Sequence, residues 1–154
     1  MTSRPIALAI AVMLVATAGA SPAASAAEAA FPVTIEHKYG ATEIREEPRR
    51  VVSVGLTEQD AILALGVKPV AVSEWFGEQP YATWPWATDL LGDAEPAVLR
   101  GELNFERIAG LRPDLILAIY SAITQDEYDT LSQIAPTVAQ SGEYIDSRLT
   151  LGRR

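Results

Sequence analysis

The chain has 154 residues, with 12 basic and 20 acidic side chains, a formal net charge of −8 and no cysteine. Nucleic acid is excluded as a partner, because phosphate binding draws on clustered Lys and Arg that this sequence lacks. Without cysteine there is no disulfide, no thiolate to ligate a metal and no lipid attached through a cysteine.

Residues 1–26 read as a secretory signal peptide. Arg4 is the single positive charge of a short leading region, an uncharged apolar run follows over residues 6–20, and Ala24-Ser25-Ala26 gives an A-x-A cleavage pattern. Ala29 offers a second cut. The run is short for a spanning helix, which needs ~20 apolar residues. The chain is therefore expected to be exported to the periplasm, cell envelope or exterior, without a lipid anchor. Cleavage at Ala26 leaves 128 residues, enough for one domain with one core.

A β-hairpin and connector are predicted over residues 31–48. Alternation puts Val33, Ile35 and His37 on one face, Gly40 marks the turn, and Thr42-Glu43-Ile44 returns. From residue 51 the pattern changes to strand–helix alternation. Val51-Val52-Ser53-Val54 is a short apolar strand of the kind buried on both faces. Thr57-Glu58-Gln59-Asp60 then opens a helix as a capping box, with Ala61, Ile62 and Leu65 as its inner stripe and Gly66 closing it. Val70-Ala71-Val72 is the next strand.

Asn104 caps a helix whose inner face is Phe105, Ile108 and Leu111, and Pro113 stops it. Leu115-Ile116-Leu117-Ala118-Ile119 is the most apolar strand. Thr124 and Glu127 make a second capping box, for a helix with Tyr128, Leu131 and Ile134 inward. Pro136 ends that helix, and Thr137-Val138-Ala139 is a further strand. Such alternation implies an α/β fold: a Rossmann-like parallel sheet with flanking helices, preceded by the hairpin.

Enzyme chemistry finds no support, and no catalytic residue is assigned. His37, the one histidine, lies on the inward face of the hairpin and reads as structural. No Gly-x-Ser-x-Gly elbow, Walker loop or Gly-x-Gly-x-x-Gly follows the first strand. Asp126, Glu127 and Asp129 cluster at a helix start, where they favour the helix dipole. Nothing makes a metal cage, and no cofactor is expected. Residues 74–86 are different: they hold all three tryptophans with Phe76 and Tyr81, beginning where the second parallel strand ends. Ligands of open parallel sheets bind beyond the strands' carboxyl ends, and aromatic faces suit a large planar or macrocyclic ligand. Trp75 is read as ligand-facing. Trp84 and Trp86, flanking Pro85 before a helix, are read as packing.

The stretch Asn104-Phe105-Glu106-Arg107-Ile108-Ala109-Gly110-Leu111-Arg112-Pro113-Asp114-Leu115-Ile116-Leu117 resembles the N-L-E-x-I-x-x-L-x-P-D-L-I-I signature of the iron–siderophore and cobalamin periplasmic-binding family. Pro48-Arg49-Arg50-Val51-Val52-Ser53, the helix over 58–66 and Val67-Lys68-Pro69-Val70-Ala71-Val72 resemble the same family in the same order. The likeness runs over about residues 49–140, and the Trp-rich stretch most resembles the iron–siderophore branch.

The resemblance implies one lobe of a two-lobe binding protein, its lobes joined by a long helix and its ligand held in the cleft between them. It also implies delivery to an ABC-transporter permease. Carried over by position, the cleft side comprises Leu56, Thr57, Trp75, Arg100 and Tyr120, and Phe76 and Tyr81 of the aromatic stretch are expected to join them at the ligand. The expected ligand is a ferric siderophore, ahead of haem or cobalamin. Arg100 offers a planar guanidinium to an anionic siderophore; its alternative is a solvated loop arginine. Glu106 occupies the signature's Glu and is expected to face the permease; its alternative is simple compensation of the helix dipole. Family members run to about twice this mature length. Residues 49–146 are therefore expected to be a truncated first lobe, and 147–154 a tail that resembles no family continuation. A secreted protein-interaction module, or a non-functional fragment of such a binding protein, is the alternative function.

Overall fold

In the computed structural model, residues 31–142 are described. The expected signal peptide and the 147–154 tail lie outside them. Two strands, β1 (Val33–His37) and β2 (Gly40–Ile44), pair antiparallel as a hairpin. Gly40 makes the reversal with φ +129°, a conformation open to glycine alone among common residues.

Five strands then form a parallel sheet: β3 (Val51–Ser53), β4 (Ala71–Ser73), β5 (Ala97–Leu99), β6 (Leu115–Ala118) and β7 (Thr137–Ala139). Their spatial order is β5-β4-β3-β6-β7. The chain thus builds outward from β3 in one direction, then crosses back and builds the other way. The reversal between β3 and β6 is a topological switch point.

Four helices pack on this sheet: α1 (Glu58–Ala64), α2 (Pro85–Leu91), α3 (Phe105–Gly110) and α4 (Gln125–Ile134). Strand alternation sorts the core into two layers. Val52, Val54, Ile116 and Ala118 face Ile108 of α3 and Leu131 of α4. Val51, Leu115 and Val138 face Ile62 of α1, and Leu63 of α1 meets Ala87 and Leu91 of α2. Helices therefore cover both faces, as the alternation predicts.

The signature residues have visible mechanical roles. Asn104 Oδ1 accepts the Arg107 amide at 2.8 Å and caps α3. The Asp114 carboxylate accepts the Arg49 and Arg50 amides, each at 2.8 Å, which locks the starts of β3 and β6 in register. Thr124 and Glu127 form the expected reciprocal capping box of α4.

Three expectations are corrected. Thr57 precedes α1 but its side chain makes no capping bond; the adjacent Glu58 is drawn inward instead and serves amides of two other segments. The inner stripe of α1 is Glu58, Gln59, Ile62 and Leu63, not Ala61, Ile62 and Leu65. Leu65 is 83% exposed, because burying the two polar residues rotates the helix away from its apolar pattern. Strand β5, short and only half-buried, has no counterpart in the sequence reading.

The hairpin covers the β7 edge, which would otherwise present unpaired backbone groups. The Lys38 amide donates to the Gln140 carbonyl at 2.9 Å, and Thr42 Oγ1 donates to the Thr137 carbonyl at 2.6 Å. His37 belongs to this joint. Tyr39 N–H donates to Nδ1 at 3.3 Å, so the ring proton sits on Nε2, 2.9 Å from Thr42 Oγ1. Burial lowers the His37 pKa from its ordinary 6.5. The histidine is structural, as its position on the inward face predicts.

Candidate ligand-binding cleft

At the carboxyl ends of the parallel strands the loops open a cleft of about 560 Å³. Its lining comes from the ends of β3 (Val54, Leu56), β4 (Ser73, Glu74) and β5 (Leu99). The loop after β6 (Ser121, Ile123) and the first turns of α3 (Phe105) and α4 (Glu127) complete it. Its volume suits a small molecule. A second hollow of about 430 Å³ lies at the opposite end of the sheet, between the connector, Asp114 and Pro136. Open parallel sheets bind at the carboxyl ends, so the first cleft is the candidate.

Glu58 shapes the floor of this region. Buried at the switch point, its carboxylate accepts from Ser53 Oγ at 2.8 Å and the Gly55 amide at 3.3 Å on the β3 side. On the β6 side it accepts the Ile119 amide, and the Tyr120 amide at 2.8 Å. A crevice that takes phosphate groups in dinucleotide-binding sheets is here filled by the chain's own carboxylate. Gly55 is required beside it, since a Cβ there would lie 2.0 Å from Glu58 Oε1. The Leu56 amide also reaches the Tyr120 carbonyl at 3.4 Å. The two candidate loops are thus tied together.

The next two residues of α1 hold the aromatic segment. Gln59 Nε2 donates to the Ala82 carbonyl at 3.1 Å, and Trp86 Nε1 donates to Asp60 Oδ2 at 2.7 Å. One helical turn therefore fixes the β3 loop, the β6 loop and the aromatic segment relative to one another. Within that segment Trp84 and Trp86 stack with ring centroids 5.0 Å apart, while Phe76 meets Trp84 edge-on at 4.9 Å and Trp75 at 4.2 Å. Trp75 and Phe76 remain 46% and 53% exposed. The cluster is both packed and open: Trp84 is its half-buried centre, and Trp75, Phe76 and Trp86 form its outer face, Trp86 being 66% exposed rather than packed because only its face on Trp84 is covered.

Of the residues named from sequence, Leu56 lines the cleft itself. Thr57 is next to it, at the start of α1. Trp75 and Phe76 follow the lining residue Glu74. Tyr120 precedes Ser121 and is 45% exposed. Arg100 lies between the β5 end and Gly101 and is paired with Glu74 at 3.0 Å. Tyr81 stands farther along the aromatic segment. Its hydrogen bond to Glu95 pushes its hydroxyl pKa up from the ordinary 10.0. Glu106 is exposed in the first turn of α3. Sequence reasoning missed Glu74, Glu102 and Phe105 as lining residues. The signal available was their position just after a strand or at the following helix start. Among the described residues no group of three or more His, Cys, Asp or Glu is arranged to hold a metal ion.

Comparison with known proteins finds similar chains. A periplasmic solute binding protein from Mycobacterium smegmatis str. MC2 155 is 52% identical and superposes with a TM-score of 0.70, over 72% of this chain and 40% of that one. PiaA from Streptococcus pneumoniae TIGR4, solved in complex with ferrichrome, is 34% identical with a TM-score of 0.61, over 71% of this chain and 38% of that one. The Bacillus subtilis (strain 168) protein named "Probable siderophore-binding lipoprotein YfiY" is 36% identical over 137 residues, 84% of this chain and 40% of its own length. The chain thus spans about 40% of the length of these relatives. Residues 51–145, which carry the parallel sheet and the cleft, match the periplasmic binding protein family. The resemblance carried by the Asn104–Leu117 signature is therefore one of descent: this chain belongs to the periplasmic binding protein family.

Proposed function

We propose that this lobe captures a ferric siderophore outside the cytoplasmic membrane, without catalysis, and presents it to the permease of an ABC importer. The observation that carries the reading is the cleft at the strands' carboxyl ends, in a lobe whose relative PiaA was solved with ferrichrome. Leu56, Thr57 and Tyr120 would contact the ligand from the switch-point loops, Trp75, Phe76 and Tyr81 from the aromatic side, and Arg100 from the β5 end. The iron travels as cargo inside its chelator, so the protein itself need supply no metal ligand. Export follows from the leading segment, and a sequence without cysteine leaves no site for a cysteine-linked lipid within these 154 residues. Glu106, exposed on α3, would meet basic residues of the permease. Glu106→Arg placed in a full-length relative should then abolish uptake and leave ligand binding intact.

Tryptophan emission provides the direct test, since all three tryptophans sit in the aromatic segment. Titration with ferric siderophores should quench it, and haem and cobalamin should do so less. No response to any of the three would remove the ligand claim. The exposed aromatic face of Trp75, Phe76 and Trp86 supports a second reading, a surface for a protein partner. That reading predicts a stoichiometric partner in a pull-down and no quenching by small molecules.

A further inference from the structure

Resting on the ferric-siderophore reading, we propose that the cleft selects neutral or cationic ferric complexes and discriminates against anionic ones. Three carboxylates, Glu74, Glu102 and Glu127, are among the residues lining the cleft, and among the described residues no lysine, arginine or histidine lines it. Arg100, the guanidinium at the β5 end, is held by Glu74 at 3.0 Å, so its charge is already matched. Glu127 Oε2 accepts the Thr124 amide at 2.7 Å and Thr124 Oγ1 at 2.9 Å. Glu102 is exposed. The second Glu74 oxygen, Oε1, is buried with no hydrogen-bond partner among the described residues.

The chemistry of iron(III) chelation turns this field into a preference. Three hydroxamates, each singly charged, neutralise the ion, and a free amine on the chelator makes the complex cationic. Three catecholates, each doubly charged, leave it trianionic. In an open, wet cleft at separations of ~8 Å, the uncompensated carboxylates change affinity by about threefold per unit of ligand charge at low salt. The interval between a neutral and a trianionic complex is then about thirtyfold at low salt. Arg100 would meet the ligand as half of an ion pair with Glu74, so it adds no net positive charge to the cleft.

The experiment is a fluorescence titration of the full chain with three probes: an amine-bearing linear ferric trihydroxamate, a cyclic neutral ferric trihydroxamate and a ferric triscatecholate. Each is run at low and at high salt. The expected order is cationic and neutral complexes ahead of the triscatecholate by about thirtyfold at low salt, with the gap shrinking as salt rises. Glu74→Gln, which releases Arg100, should narrow the gap by about fivefold; Glu102→Gln, on an exposed residue, gives the same test should the first variant fold poorly. A triscatecholate bound as tightly as the neutral complex, or a gap indifferent to both variants, overturns the selectivity and leaves the siderophore reading standing. Binding of none of the three removes both.

Discussion

The Glu58 carboxylate stands in the crevice between β3 and β6 and receives donors from both sides. A buried carboxylate is tolerated only when its lone pairs are satisfied, and its removal leaves amides that have lost their partner. Glu58→Ala is expected to cost about 2–4 kcal/mol, since each orphaned buried donor costs about 1–3 kcal/mol and water recovers part. Gly55→Ala should destabilise in the wild-type background, where its Cβ meets the carboxylate. It should cost little once Glu58 is alanine, because the two positions share one space. Urea denaturation of the four proteins measures both. Additive losses, or a Glu58→Ala loss below about 0.5 kcal/mol, the level of an ordinary surface change, would contradict the role.

His37 gives a second residue-level prediction. Burial lowers its pKa, so the folded chain binds this proton less well than the unfolded chain does. The stability that depends on its neutral form is complete above the unfolded value of about 6.5. It is lost as pH falls, because the unfolded state protonates first. Protonation at Nδ1 would also set an N–H against the Tyr39 amide that now donates to it. Melting temperature should fall between pH ~7 and ~5, and His37→Gln should flatten that part of the profile. An unchanged slope in the variant would place the titrating group elsewhere.

Among the elements, α4 shows how far a local rule carries. Thr124 and Glu127 satisfy each other's amides as the spacing predicts, so Thr124→Ala should cost about 1 kcal/mol, seen as a lowered denaturation midpoint. No loss would show that packing of Leu131 alone sets the helix start. Strands β3, β4, β6 and β7 and the hairpin were legible because apolar runs between turn residues have few other uses. Strand β5 was not: Ala97–Leu99 is three residues between Pro96 and Arg100, and its extended form depends on pairing with β4. The face of α1 was misread for a physical reason. Glu58 and Gln59 look solvated in sequence, yet tertiary hydrogen bonds bury them and turn Leu65 outward. The cleft was legible by position and not by lining. Leu56 follows a strand end as the sheet rule requires, but Glu74, Glu102 and Phe105 are assembled from three separate connections and share no local pattern.

For the whole molecule, the covered β7 edge and the two-sided core describe a lobe whose sheet buries its apolar faces on both sides. The outer aromatics, Trp75, Phe76 and Trp86, are the largest apolar groups left near the ligand side. On the proposed reading the ligand brings an iron atom whose position marks the site. Crystals of the full chain grown with a neutral ferric trihydroxamate, measured at the iron absorption edge, give the location as one anomalous peak. The predicted peak lies beyond the carboxyl ends of β3, β4 and β5, bordered by Leu56, Glu74 and Phe105. A peak in the hollow between Glu46, Pro48 and Asp114, or against the aromatic cluster and away from the strand ends, would contradict the account.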